Sequence, residues 1–570
     1  MPSAGSHTRI AARWREPECL FFVGLVLVVA PFVVGAVRTI VSFRHGYAPP
    51  SDWALLELRV RDVGLHEVFT GPYSRFGWFH PGPLVFYLLA VPYRLLGSSS
   101  AGLMVGALGI NATAAVGAVL VARRRGISVG LATAVALALL MRALGPDFLR
   151  DPWNPHVPVL SSFLLLFLTW VAMVGDSRLL PWIAAVASFL VQTHVGFAPL
   201  AVAMAASATI GAGIAARRSA SERRRFLRMV GIAALVALVL WLPTLWGEVV
   251  TGLGNLGDIV SYFAASHPGA GIANAARVAA LQLDARPEWL FGPESMFIFR
   301  TGPHGTVLPV ELSSRPPLLL VAALAAVLVS ALQRRRDAVL LGMTVSVAWA
   351  VALLGVSRVV GLVYPYLVRW TWSIGAVTAV LVVWTAWLAL RETTRRRLRQ
   401  PLAVLAVGIV AAASLSACID ALRVGVPHPT RQAQTKSLSR QLLEHLPPGP
   451  GVVRFAGARG GLAEAGVVLQ VERNGIPVQV AGPAAAFYGE SRAVKTASRV
   501  RATVSVVSAA SGPVAPGPNQ RIVANYTGPP ENAVVLMETP PGKNLDRGDE
   551  HGAARLGNPE RAVDRCCDGL

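Results

Sequence analysis

Long apolar runs, separated by short basic clusters, dominate the chain from Cys19–Val41 through to Pro401–Ile419. A spanning helix needs about 20 mostly apolar residues, because roughly 30 Å of hydrocarbon is crossed at about 1.5 Å per residue. The pattern predicts spans at about 19–42, 101–122, 126–143, 156–175, 179–195, 197–216, 227–246, 316–333, 338–357, 366–390 and 401–420. One more apolar stretch, 81–96, has only about 16 residues, which is short for a crossing. Counting it as a span would also place Arg123, Arg124 and Arg125 outside. It reads instead as an interfacial helix on the outer leaflet, with Tyr87, Tyr93 and Arg94 near the headgroups.

With that assignment one parity accounts for every strong basic cluster. Arg123 to Arg125, Arg217 and Arg218, Arg223 to Arg225, Arg334 to Arg336 and Arg395 to Arg397 all fall on one side. The positive-inside rule makes that side cytoplasmic. The expected protein is a polytopic α-helical membrane protein of the cytoplasmic membrane, with about eleven spans. Residues 1–18 are its cytoplasmic N-terminus, the membrane domain runs over 19–420, and the C-terminus lies outside. Arg9, Arg13 and Arg15 before the first apolar run resemble a signal peptide. That run is too long for an h-region and lacks a small-residue cleavage site, so it reads as an uncleaved span.

After residue 420 the periodicity changes to that of a water-soluble domain. Ser437–Leu446 and Gly461–Arg473 look helical, while Gly451–Phe455, Pro477–Ala481, Ala502–Ser508 and Ala533–Met537 look like strands between Gly/Pro turns. A small extracytoplasmic α/β domain over 421–540 is expected, followed by a polar, disordered tail over 541–570.

Composition agrees with the pattern. Hydrophobic residues make up 54% of 570 and charged residues 15%, against about 25% charged in soluble domains; mean hydropathy is +0.52. The net charge of +21 raises the question of nucleic acid, but the basic residues punctuate apolar spans and serve topology, so no nucleic-acid partner is expected. Four cysteines do not make a disulfide framework, and the adjacent Cys566 and Cys567 have no partners that suggest a metal.

Candidate chemistry gathers in the outer loops, 43–100, 145–155 and 247–315. In the first, Pro50 and Ser51 mark a helix start, with Ser51 as the expected N-cap. Asp52 then falls in the first turn, where the helix dipole favours a carboxylate. Such an acid can act as a general base or bind a divalent cation; the plainer reading is an acid placed there by the dipole alone. Glu57 follows one turn later. The stretch Tyr73-Ser74-Arg75-Phe76-Gly77-Trp78-Phe79-His80 leads into the interfacial helix with Tyr87. Tyr73, Trp78, His80 and Tyr87 suit sugar stacking or lipid contact, or an ordinary aromatic belt. Arg75 and His80 are also candidates for phosphate or hydroxyl contacts.

The spacing of Asp52 after the first span, with a Pro-rich turn opening an aromatic juxtamembrane helix, resembles the GT-C glycosyltransferases. These include protein O-mannosyltransferases, aminoarabinose transferases and the arabinosyl- and mannosyltransferases of actinobacterial envelopes. The resemblance covers roughly 15–420 and rests on topology and the first outer loop. It implies a polyprenyl-phosphate sugar donor and a catalytic or metal-binding acid at Asp52. Trp53 stands where a second adjacent acid is usual, which puts metal dependence in doubt. The family's second acid, between the third and fourth spans, corresponds to Asp147 or Asp151. These lie in Gly145-Pro146-Asp147-Phe148-Leu149-Arg150-Asp151-Pro152-Trp153-Asn154-Pro155-His156, where His156 adds an imidazole; turn propensity alone also explains such residues.

Gln192 and His194 sit near the outer end of the fifth span. Arg369, near the outer end of the tenth, can grip a phosphate bidentately or snorkel to headgroups, with Arg358 the weaker candidate. The third loop supplies His267, Asp284, Arg286, Glu288, Trp289 and His304 without metal spacing, as a lid or acceptor groove. The expected function is transfer of a sugar from a polyprenyl phosphate to an envelope glycan or glycolipid on the outer face. A divalent cation is an open question. A transporter or flippase for an envelope lipid, or a non-catalytic scaffold, is the alternative. The high Ala, Arg, Gly and Val content fits a GC-rich, actinobacterial type of source.

Overall fold

A helix occupies each of the eleven predicted spans in the computed structural model, which describes residues 17–44, 46–252, 254–293, 299–301, 307–309, 315–457, 461–495, 498–509 and 513–538. The basic start before Pro17, His304, and the tail with Cys566 and Cys567 lie outside the described residues. In chain order the helices of the membrane part are α1 (Pro17–Ser42), α2 (Ser51–Asp62), α3 (Leu84–Leu95), α4 (Ser100–Arg123), α5 (Ile127–Leu144), α6 (Pro146–Arg150), α7 (Val159–Val174), α8 (Leu180–Thr193) and α9 (Ala198–Ala216). They continue with α10 (Ala220–Thr251), α11 (Gly254–Ala264), α12 (Gly271–Leu283), α13 (Glu288–Phe291), α14 (Leu318–Leu332), α15 (Arg336–Ser357), α16 (Pro365–Val368), α17 (Thr371–Ala389) and α18 (Glu392–Arg423). The short strands β1 (Phe299–Thr301) and β2 (Val307–Pro309) form a hairpin between α13 and α14.

Eight of these segments are long and apolar enough to cross a membrane: α1, α4, α5, α9, α10, α15, α16 with α17, and α18. The other three predicted spans, α7, α8 and α14, have 16, 14 and 15 residues, fewer than the usual requirement of about 20. The helices α10 and α18 each run to 32 residues, beyond the apolar windows predicted for them. Their Arg-rich first turns are good helix formers, and Glu392 pairs with Arg396 four residues on at 3.0 Å. The stretch 81–96 is a helix of 12 residues, α3, too short to cross and buried along Val85, Phe86, Leu89, Ala90 and Tyr93.

The basic clusters meet at one end of the bundle. Arg125 pairs with Asp337, joining the α4–α5 junction to the start of α15. Arg124 pairs with Asp176 at 2.6 Å, adding the α7–α8 junction, and Arg123 lies 3.8 Å from Glu18 at the start of α1. The opposite end carries α2, α3, α6 and the C-terminal domain.

That domain contains α19 (Pro429–His445), β3 (Val452–Phe455), α20 (Gly461–Arg473), β4 (Val478–Val480), β5 (Val500–Ser508), β6 (Gln520–Tyr526) and β7 (Ala533–Glu538). Its sheet has the order β4-β3-β5-β7-β6, parallel over β4-β3-β5 and antiparallel beyond. Strand β6 was not predicted. It is an edge strand with a register shift between Ile522 and Ala524, which breaks the alternation a sequence pattern relies on.

Helix α2 belongs to both bodies. Leu56 and Val60 pack into the core of the helix bundle, while Ala54, Leu55 and Leu58 pack into the core of the C-terminal domain. A short helix buried on nearly all sides cannot shift without disturbing both cores.

Candidate active site

The residue that caps α2 is Pro50, in extended conformation, and Ser51 is the first helical residue with a φ of 49°. Ser51 is therefore not the N-cap; its hydroxyl donates to Asp52 Oδ1 at 3.3 Å. The Tyr73 hydroxyl donates a short hydrogen bond to the same oxygen, and the Tyr73 ring stacks on Phe487 of the C-terminal domain at 4.7 Å. Asp52, Arg59, Tyr73, Trp153, Asn154 and Phe487 line one small cavity. Burial there raises the Asp52 carboxyl above the usual carboxylate range, only partly offset by the bonds from Tyr73, Ser51 and Trp153 and by the charge of Arg431. A carboxylate with raised proton affinity is a better general base.

Arg59 follows Asp52 by seven residues, two turns, and so lies on the same face of α2. Among the described residues its one ion pair is with Asp62 Oδ2 at 3.5 Å, and its buried Nε has no hydrogen-bond partner. A buried guanidinium N–H is rarely left unpaired, so an acceptor oxygen in this cavity would complete it.

Asp151 does not line that cavity; it lies behind Trp153, which does. Its Oδ1 accepts from the Trp53 indole at 2.8 Å and from the Trp153 amide at 3.0 Å, and His156 Nδ1 lies 2.8 Å from Oδ2. Burial alone would raise this carboxyl, but the bonds from His156, Trp53 and Trp153 hold it below its ordinary range. The Trp53 and Trp153 rings are 5.9 Å apart, so Asp52 and Asp151 are brought to one site through their neighbouring tryptophans. His428, in left-handed conformation before α19, covers Trp53 at 4.0 Å.

Other predicted residues go elsewhere. Glu57 is fully buried, bonded to Arg473 Nη2 at 2.5 Å, Ser100 at 2.7 Å and Tyr93 at 3.0 Å. Five residues after Asp52 on a helix it faces away, and it anchors the C-terminal domain instead of joining the site. Asp147 is 70% exposed and pairs with Arg150 at 2.6 Å. The Arg369 guanidinium lies 4.1 Å over Trp372, and the Trp372 indole donates to Glu288 at 3.2 Å. Its segment reaches the site through Tyr366, packed 4.9 Å from Trp153. Arg75 donates to the Val360 carbonyl at 2.7 Å, tying loop one to the segment after α15, and Arg358 is exposed at the end of that helix.

Trp78 is buried against Tyr262 at 5.8 Å, with its indole nitrogen unpartnered. His80 packs 4.4 Å from His194 and accepts from the Val195 amide at 3.1 Å, so it holds loop one to the end of α8. His194 accepts from the Gly196 amide, and Tyr87 donates to the Val68 carbonyl at 2.7 Å. Gln192 is buried with its amide on the Leu240 carbonyl at 2.9 Å.

Sequence reasoning passed over Arg59, Phe487, His428 and Arg431. For Arg59 the signal was present as the seven-residue spacing from Asp52. The other three come from the distant C-terminal domain, and no local pattern marks them. Among the described residues no three His, Cys, Asp or Glu side chains gather as a metal set.

The architecture is similar to that of ArnT. The crystal structure of ArnT from Cupriavidus metallidurans bound to undecaprenyl phosphate superposes with a TM-score of 0.52 at 15% identity, covering 90% of this chain and 97% of that one. Its apo state gives the same score and coverage at 12% identity. No protein-family model and no curated protein matches the sequence. The polytopic helical fold with a small C-terminal sheet, expected from the sequence, is the fold observed, and it is similar to that of ArnT.

Proposed function

We propose that this chain is a membrane glycosyltransferase that moves a sugar from a polyprenyl-phosphate donor to a cell-envelope glycan or glycolipid on the outer face of the cytoplasmic membrane. The observation that carries the reading is the pairing of Asp52 with Arg59 in one cavity, on an ArnT-like fold. The ArnT structure with undecaprenyl phosphate supports a donor of that class. The gathering of the basic clusters at the far end of the bundle supports an outward-facing site, with the N-terminus inside and the C-terminal domain outside.

Asp52 takes the proton of the acceptor hydroxyl as its oxygen bonds to the anomeric carbon. The bond from that carbon to the phosphate oxygen breaks, and polyprenyl phosphate leaves with the electron pair. Arg59 donates to the leaving phosphate, where charge develops. Tyr73 holds Asp52 in place, and Asp151 with His156 fixes Trp153 in the cavity wall and Trp53 behind it. Arg369, Arg75 and Arg358 remain candidates for the lipid-phosphate path, more distant from Asp52. No step is routed through a metal.

The test is transfer from labelled polyprenyl-phosphate sugars by the protein in vesicles, compared with Asp52→Asn. General-base catalysis is worth about 10²- to 10⁴-fold, so a loss of about 10³-fold with unchanged folding is expected. Full transfer by the variant rejects the assignment. No transfer by wild type, together with substrate-dependent lipid movement across the vesicle, favours the transporter.

A further inference from the structure

Ten residues beyond Asp52, about 15 Å along α2, a second cavity of about 310 Å³ opens between the ends of α2 and α3 and the C-terminal domain. Its size is that of a ligand pocket, and such pockets favour junctions between domains. The floor is a fixed ionic lattice. Arg492 Nη1 lies 2.9 Å from Asp62, and Arg492 Nε lies 2.5 Å from Glu472. Arg61 Nε is 2.9 Å from the same Glu472, and its Nη1 donates to the Tyr93 hydroxyl at 3.3 Å. The rim carries exposed His66 and Arg94.

The two cavities share a wall. Arg59 lines the first, Asp62 lines the second, and the two side chains meet at 3.5 Å. Gly489 closes that wall from the domain side with a φ of +98°, where a Cβ would come within 2.6 Å of Arg59 Nη1 and 2.7 Å of Asp62 Oδ2. The ligand of the second cavity would thus lie along the same helix that presents Asp52.

We infer that the second cavity binds uncharged sugar residues of the acceptor glycan, holding its chain along α2 while a hydroxyl nearer the reacting end reaches Asp52. The acceptor role rests on the glycosyltransferase reading above. At the floor Arg61 and Arg492 are paired with Glu472 and Asp62, the latter shared with Arg59, and the rim cation Arg94 bonds the Val63 carbonyl, so a phosphate or carboxylate ligand reaching the floor would meet two fixed carboxylates. A hydroxyl both donates and accepts and suits guanidinium and carboxylate groups side by side. Because the mutual ion pairs already lock these long side chains, little further ordering is needed on binding.

The experiment uses the full-length protein in detergent, with mannotriose, arabinotriose and galactotriose as probes, read by saturation-transfer NMR and calorimetry. At least one trisaccharide should bind, and inorganic phosphate should not displace it. Ser491→Trp, which fills the cavity, should weaken binding tenfold or more. His66→Ala with Arg94→Ala, which trims the rim and leaves the ionic floor intact, should do the same. Asp52→Asn should bind as wild type does. Absence of binding by all three sugars, displacement by phosphate, or affinity unmoved by both cavity variants overturns the inference. Cavity-dependent binding by a protein that transfers no sugar would support the site and reject the transferase reading on which its acceptor role rests.

Discussion

Helix α2 presents three acids in eleven residues, and their surroundings divide them sharply. Asp52, at the start, faces hydroxyl and indole donors in a small cavity, where burial raises its carboxyl. Glu57 and Asp62, five and ten residues on, are clamped by the guanidiniums of Arg473 and Arg492 from the C-terminal domain. One helix therefore holds a reactive end and a docking end. An acid becomes a base when neutral donors enclose it, and a joint when a buried cation neutralises it.

Five single substitutions and one double variant break or sharpen that contrast. The largest effect belongs to Asp52→Asn, which should lower transfer by about 10³-fold without moving the thermal midpoint of the detergent-solubilised protein. Glu57→Gln should do the reverse, leaving turnover within a few-fold while lowering the midpoint. If both variants lose transfer alike, the division of roles along α2 is wrong.

Arg473→Ala leaves Glu57 as a buried, unpaired carboxylate, which costs about 3–5 kcal/mol. Thermal unfolding should show that loss, and the apolar pair Glu57→Leu with Arg473→Met should recover most of it. Equal destabilisation by the single and double variants would mean that the packing around the pair, not its charge, secures the domain.

Arg59→Ala removes a charge-assisted bond worth about 1.5–3 kcal/mol. Donor KM should rise about 10- to 100-fold, roughly what that energy implies, with a smaller change in acceptor KM. An effect confined to the acceptor would assign Arg59 to the second cavity instead.

The smallest effect concerns pH. The base works deprotonated, so kcat/KM should rise with pH through the pKa of Asp52, which burial sets above the usual carboxylate value. The Tyr73 bond stabilises the charged form and lowers that pKa. Tyr73→Phe should therefore move the acid limb to higher pH while changing the plateau less than tenfold. A limb moving to lower pH would contradict the donor role of Tyr73.

Much of the scaffold was legible in the sequence, because hydrophobic spacing and Arg placement are written locally. The apolar windows located eleven helices, and the shortness of 81–96 separated α3 from the spans. The start of α2, with Asp52 in its first turn, was legible for the same reason, since a Pro-Ser-Asp start after the first span is a local pattern. Helix lengths were not, because α10 and α18 continue through charged helix formers that hydropathy does not register.

What the sequence determined by itself was an alternation of apolar spans and basic turns, and an acid at one helix start beyond the first span. Tertiary structure alone decided which acid faces a cavity and which is spent on docking. Glu57 and Asp62 read like Asp52 until Arg473 and Arg492, more than 400 residues away, fold against them. A pairing of that range leaves no periodic trace, since its partners are chosen by packing in space.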